Sequence, residues 1–241
     1  PVNFDETAWA DTLHEAWRMD ELITKHSAIM DKYDPDKRVF LAVDEWGAWY
    51  AQDPGTHPGF LRQQNTLRDA LIAAINLDIF AKHADRVKMT AIAQMVNVLQ
   101  AMILTDGDKM VLTPTYYVFD MYKPWQDATV LPIDIDTPTY TKGEYSLPAV
   151  SGSAVKGKDG RIHVGLSNAD PEKTNTVTIK LDGVHAKTVG GRILTAPAIN
   201  AHNTFDDPDA VKPASFSGAR VKGGNLVVSL PAKSVVVLDL R

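Results

Sequence analysis

The chain contains no cysteine. That excludes a disulfide framework, a thiolate metal site and a thiol nucleophile, and it fits a reducing or an oxidising compartment equally well. No stretch approaches the roughly 20 consecutive apolar residues that span a membrane as a helix. Neither sign of charge dominates: 25 basic and 30 acidic residues leave a net charge of −5 over 241 residues. Such a mild, mixed balance gives no electrostatic footprint for nucleic acid or for an anionic membrane. The common cofactor motifs are also missing. There is no P-loop and no dinucleotide fingerprint, and no serine sits in G-x-S-x-G. The seven histidines are scattered, with no H-E-x-x-H pair, so no zinc site is expected. "TDGDK" at 105–109 opens like a calcium loop, but the position twelve along from Asp106 is Tyr117 rather than Glu, and the pattern fails. No metal and no cofactor is expected.

What is present falls into two regimes. Residues 1–127 carry helical patterning interrupted by short apolar runs. Trp9, Leu13 and Trp17 recur at i, i+4, i+8, and Leu22, Ile23, Ile29 and Met30 continue the stripe. This predicts one long helix, with room for a single break, capped by Asp5 and ended before Pro35. The run Val39–Val43 predicts a strand buried on both faces, as in a parallel sheet. A second helix begins near Asn65 or Thr66 and stops near His83. A second strand follows at about 86–93, and a third helix at about 115–123. Helix, strand, helix, strand, helix argues for parallel β/α units. His83 reads as part of a hydrogen-bond network rather than of chemistry. Residues 128–241 show short alternating runs punctuated by Asp159-Gly160, Asp182-Gly183 and Gly223-Gly224. That pattern predicts an antiparallel β-sandwich. The aperiodic segment from Ala196 to Gly218 is expected to be a long loop over the sandwich.

The stretch "VFLAVDEWGAWY" at 39–50 raises the chemical question. An apolar strand ends in Asp44 and Glu45, and Trp46, Trp49 and Tyr50 follow. Acids after a strand often cap the next helix or face solvent, and aromatics there often pack between strand and helix. In a β/α barrel, however, the active site lies at the C-terminal ends of the strands. A carboxylate beside aromatic rings there suits a sugar site, because the C–H faces of sugars stack on aromatic rings. Glycoside hydrolysis uses a carboxylate as nucleophile or as acid/base. For Trp46 taken alone, core packing and sugar stacking both remain open.

Three blocks resemble a known family. "RMDELITKHSAIMDKYDPDKRVFLAVDEWGAWY", "QQNTLRDALIAAINLDIFAKHADRVKMTAIAQMVNVLQAMILT" and "TPTYYVFDMYKPWQDATVLP", in this order, resemble the C-terminal part of glycoside hydrolase family 51, whose typical members are α-L-arabinofuranosidases. The likeness is strong over residues 1–132 and looser beyond. It implies an α/β plus all-β fold: the C-terminal part of a (β/α)8 barrel over 1–127, then a jelly-roll-like β-sandwich over 128–241. It implies release of α-L-arabinofuranosyl units from arabinan, arabinoxylan and related oligo- or polysaccharides, with retention. In the family's D-E-W-G/N-x-W-Y motif the Glu is the catalytic nucleophile, which matches Glu45. Gln94, in the A-Q-x-V-N block, matches a substrate-binding Gln, and Trp49 would line the arabinose pocket. Asp44 and Asn97 would be supports. A homo-oligomer is implied as well, and no address in the cell.

The departures from the family are as specific. A retaining glycosidase needs two carboxyls about 5–5.5 Å apart. The family's acid/base Glu lies in an Asn-Glu pair, and this chain has no Asn-Glu dipeptide. Only about two barrel strands are legible, and eight are required. The expectation is therefore a C-terminal fragment. An N-terminal segment of the same enzyme, possibly as a separate chain, would supply the acid/base. Two alternatives stay open: another retaining glycosidase, such as a β-xylosidase or endoglucanase, or a non-catalytic carbohydrate-binding or structural module.

Overall fold

A computed structural model describes residues 1–241. Asp5 caps the first helix, α1 (Glu6–Met30), by accepting the Ala8 N–H at 3.0 Å. The helix is continuous over 25 residues, without the break that the sequence left room for. It buries Trp9, Leu13 and Ile23. The turn after it is gathered by Arg86, which is fully buried and donates to Asp34 Oδ2 at 2.9 Å and to Val39 O at 2.6 Å, and pairs with Asp31.

The first strand, β1, spans Leu41–Trp46. This corrects the expected strand at 39–43. Val39 and Phe40 precede the strand and are exposed, Ala42 is exposed within it, and only Trp46 is buried. The physical reason is that β1 has a single neighbour. It pairs in parallel with β2 (Val87–Ile92), in the register Leu41↔Val87, Val43↔Thr90 and Trp46↔Ile92, and the two form a two-stranded sheet. Between them runs α2 (Leu67–Lys82), opened by a capping box in which Thr66 and Asp69 satisfy each other's backbone N–H groups. Nearly every residue of α2 is buried, which explains its almost unbroken apolar sequence "LIAAINLDIF". The segment "TDGDK" is the tip of a hairpin of β3 (Ile103–Asp106) and β4 (Lys109–Leu112). Helix α3 (Pro114–Met121) then packs on α2.

The remaining chain builds a sandwich. β5 (Thr129–Leu131), β8 (Val150–Lys156), β9 (Ile162–Asn168), β15 (Ser234–Leu240), β11 (Val189–Leu194) and β12 (Ala214–Ser215) form an antiparallel sheet of six strands in the order β12-β11-β15-β9-β8-β5. It faces a three-stranded sheet of β10 (Asn175–Lys180), β14 (Asn225–Leu230) and β13 (Ala219–Lys222). A separate hairpin, β6 (Thr139–Lys142) with β7 (Tyr145–Pro148), lies against α1. Gly223 and Gly224, at φ 57° and 76°, form the two-residue turn between β13 and β14, a geometry that side chains disfavour.

β15 shows why its sequence "SVVVLDL" does not alternate. Val236, Leu238 and Leu240 enter the core between the two sheets, whereas Val235 and Val237 enter the core under α2. That second core runs from Trp9, Leu71 and Ile75 to Leu194 and Val235, so apolar packing is continuous across residue 127. The long segment after β11 corrects another expectation. Its first part packs on the helical layer, where the Ala201 carbonyl accepts the Leu67 N–H at 2.8 Å and buried Asn203 donates to Leu112 O at 2.8 Å, whereas residues 214–216 return to the sandwich beside β11. Its polar composition serves these backbone bonds rather than a sheet face. No helix is long and apolar enough to cross a membrane.

Candidate active site at the ends of two parallel strands

Parallel pairing brings the C-terminal ends of β1 and β2 to the same side. Glu45 is the penultimate residue of β1, and Gln94 lies two residues beyond β2. Both side chains are exposed. The two branches stay joined past the last paired residues, because the Ala93 N–H donates to Trp46 O at 3.0 Å. Asp44 is exposed as well.

The loop after Glu45 is tied down by several side chains. Gln63, fully buried, donates Nε2 to Ala48 O at 2.9 Å and accepts the Tyr50 N–H at 2.9 Å. Arg68 lies between two rings, with its guanidinium carbon 4.1 Å from the Tyr50 centroid and 3.7 Å from that of Phe4. A desolvated cation over aromatic faces is held electrostatically. Burial pushes the Tyr50 phenol well above its ordinary range, with the nearby Asp69 carboxylate adding to the rise.

The two tryptophans of the motif part company. Trp46 is 4% exposed, edge-on to Phe80 at 5.3 Å and stacked on Phe119 at 6.0 Å. It is a core residue, which settles the question that the sequence left open. Trp49 is 71% exposed. The cleft it lines, about 420 Å³, runs along α1 past Asp11, Glu15 and Met19 and includes neither Glu45 nor Gln94. Glu45 and Gln94 thus lie on the adjoining ends of a parallel strand pair, and the cleft beside Trp49 takes in neither of them.

The loop after Gln94 is equally fixed. Asn97 donates Nδ2 to Thr105 Oγ1 at 2.8 Å and accepts the Thr105 N–H at 2.7 Å, a supporting position on β3. His83 meets Asp20 at 2.6 Å, in the structural network its sequence suggested. Gln63, Arg68, Asp69 and Gln100 were not singled out by sequence reasoning. Only Asp69 carried a usable signal, as the third residue after a Thr helix cap. No group of three or more His, Cys, Asp or Glu side chains is placed to hold a metal ion.

Residues 44–234 match the family model of the α-L-arabinofuranosidase C-terminal domain. The chain belongs to that family. The match starts at Asp44, so the family unit takes in the Glu45 strand end together with the sandwich. Over 240 residues the chain is 49% identical to an intracellular exo-α-L-arabinofuranosidase of Bacteroides ovatus, covering 99% of this chain and 46% of that protein. Its fold superposes on the crystal structure of the GH51 arabinofuranosidase from Xanthomonas axonopodis pv. citri with a TM-score of 0.98 at 61% identity, over 99% of this chain and 48% of that one. The Thermotoga maritima α-L-arabinofuranosidase, solved as an arabinose complex, shares the fold at TM-score 0.81 and 22% identity, over 96% of this chain and 49% of that one. This arabinofuranosidase-family chain thus spans about half the length of the relatives it matches.

Proposed function

We propose that the chain is the nucleophile-bearing C-terminal half of a retaining α-L-arabinofuranosidase. The observation that carries the reading is the parallel β1–β2 pair, whose C-terminal ends, bearing Glu45 and leading to Gln94, lie on the same side in a chain of this family. On this reading residues 1–127 are the last part of a (β/α)8 barrel, with β1 and β2 as its seventh and eighth strands, and residues 128–241 are the sandwich domain.

The free edges support it. β1 and β2 each have one unpaired edge. Exposed Val39, Phe40 and Met89 lie at this small sheet, an arrangement that a lone soluble domain avoids. A cavity of about 700 Å³ opens beside β2 between Leu77 and Phe80 of α2, Val87 and Met89 of β2, and Phe119 of α3. A further strand alongside β2 would fill it. The N-terminal half of the enzyme is the proposed occupant and the source of the acid/base Glu.

The mechanism has two steps. The acid/base of the N-terminal half protonates the leaving-group oxygen while the Glu45 carboxylate attacks the anomeric carbon and the glycosidic C–O bond breaks. Water, deprotonated by the same acid/base, then cleaves the arabinosyl ester and frees Glu45 with overall retention. Gln94 would hold sugar hydroxyls and Trp49 would contact the sugar or its neighbour in the polymer. Turnover of aryl α-L-arabinofuranoside by the full-length enzyme, set beside β-xyloside and cellulosic substrates, tests the proposal. Preference for a xyloside or glucan would replace it with one of the other hydrolase readings. Binding of arabinan without hydrolysis would leave only a carbohydrate-binding role.

A further inference from the structure

Gln100 lies in the loop after β2 and has no exposed surface. It touches both branches of the candidate site. Its backbone N–H donates to Ala93 O at 2.9 Å, the carbonyl just before Gln94. Its side chain packs against Gly47, two residues after Glu45, so closely that a Cβ at Gly47 would stand 2.4 Å from Gln100 Cγ. Gly47 is also at φ +125°, a conformation that side chains rarely adopt.

The far end of the side chain is anchored. Gln100 Nε2 donates to Asp69 Oδ1 at 2.7 Å. The other oxygen of Asp69 accepts the Thr66 N–H at 2.6 Å and the Thr66 hydroxyl at 3.0 Å. One buried carboxylate thus couples the start of α2 to Gln100, and Gln100 to both strand ends. The cost is visible, since Gln100 Oε1 has no hydrogen-bond partner. A buried, unsatisfied carbonyl destabilises a fold, and an apolar side chain would fill this space without it. What the amide adds is direction: its single bond to Asp69 fixes where the side chain lies beneath Gly47.

We infer that Gln100 is a positioning residue. It sets the Gly47 turn that follows Glu45 and the Ala93 carbonyl that precedes Gln94, and refers both to rigid α2. The inference rests on the reading of Glu45 as nucleophile. A nucleophile displaced by about 1 Å loses on the order of 10²-fold in rate. Binding of the sugar, made by other residues, changes far less.

The test uses the full-length enzyme and an aryl α-L-arabinofuranoside. Gln100→Met keeps bulk under Gly47 and drops the bond to Asp69, whereas Gln100→Ala removes both. Gln100→Met is expected to lower kcat by about 10-fold and Gln100→Ala by about 10²-fold, with KM within about threefold of the parent. Ile75→Val, a cavity in the middle of α2, serves as a stability control and is expected to keep the parental kcat at a lowered Tm. A parental kcat in Gln100→Met, or a kcat loss in the Ile75 control matching that of the Gln100 variants at equal Tm, overturns the inference. Should Gln100→Ala fail to fold, Gln100→Met decides alone. Glu45→Ala separates the two levels. Activity in that variant overturns the nucleophile reading itself, whereas an inactive Glu45→Ala beside a parental Gln100→Met overturns only the role of Gln100.

Discussion

Ala93 and Trp46 are joined by a backbone hydrogen bond of 3.0 Å just where the paired strands end. That bond extends the pairing one step past Trp46↔Ile92 toward Gln94 and closes the register irregularity between Val43 and Trp46 in which Glu45 lies. Strand ends are better platforms for chemistry than free loops, because pairing fixes the backbone that aims the side chain.

The first prediction concerns Glu45. Its side chain is exposed, so Glu45→Ala removes no packing. In the full-length enzyme turnover of an aryl α-L-arabinofuranoside should fall by at least about 10³-fold, as expected for loss of a nucleophile. The Tm should stay within a few degrees of the parent, as for a surface substitution. Steady-state kinetics and a thermal melt check both halves. Near-parental activity would sink the assignment.

The second prediction uses two tryptophans three residues apart. Trp46 is wedged between Phe80 and Phe119, and Trp46→Ala should cost roughly 3–5 kcal/mol of stability. Trp49 is mostly exposed, and Trp49→Ala should leave the melting curve unchanged while raising KM for oligosaccharides several-fold. A Trp49 variant with parental KM for every substrate would remove it from the site. Denaturant melts paired with Michaelis kinetics make the comparison.

These two residues also show what sequence can and cannot say. The period of α1, the Asp5 and Thr66 caps and the parallel β/α alternation were legible because each is set by neighbours in the chain. The sandwich turns were legible for the same reason. The environment of Trp46 was not, since a tryptophan after a strand reads alike whether Phe119 lies over it or a sugar does. The strand at 39–43 was misplaced because an apolar run says that a residue wants burial, whereas Val39 and Phe40 lie exposed ahead of a strand that pairs on one side only. Gln100 and Gln63 were invisible. Their roles come from partners about 31 and 15 residues away that only folding brings together.

The third prediction concerns the open edges. The 241-residue chain on its own should not hydrolyse arabinofuranosides, and it should self-associate through β1, β2 and the cavity beside them. Adding the N-terminal half should convert it to a defined complex with activity. Native mass spectrometry with and without that half reads the change. A stable, monodisperse monomer that ignores the N-terminal half would contradict the barrel reading.

The fourth prediction concerns Asp78 on α2, where the helix meets the sandwich. Its carboxyl accepts from Ser153 at 2.6 Å, Tyr122 at 3.1 Å and Ser151 at 3.2 Å, and is almost fully buried. Lys82, on the next turn, pairs with Asp20 at 3.0 Å instead. Burial pushes the Asp78 carboxyl up to about 7, against the pull of the three hydroxyls. Burial, with the Asp78 charge beside it, also holds the Tyr122 phenol well above its usual range. In the unfolded chain an aspartate titrates near 4. Below about pH 4 both states are protonated, and Asp78 contributes its full stability. Between about pH 4 and 7 the unfolded chain gives up the proton that the folded chain keeps, so stability falls as pH rises; above about 7 both are ionised and the slope ends. The loss across that window is on the order of 4 kcal/mol. Asp78→Asn has no such titration, so its stability relative to the parent should rise from pH 4 to pH 7 and then level off. Urea midpoints of both proteins across this range measure the difference, and parallel curves would show that Asp78 stays ionised in the fold.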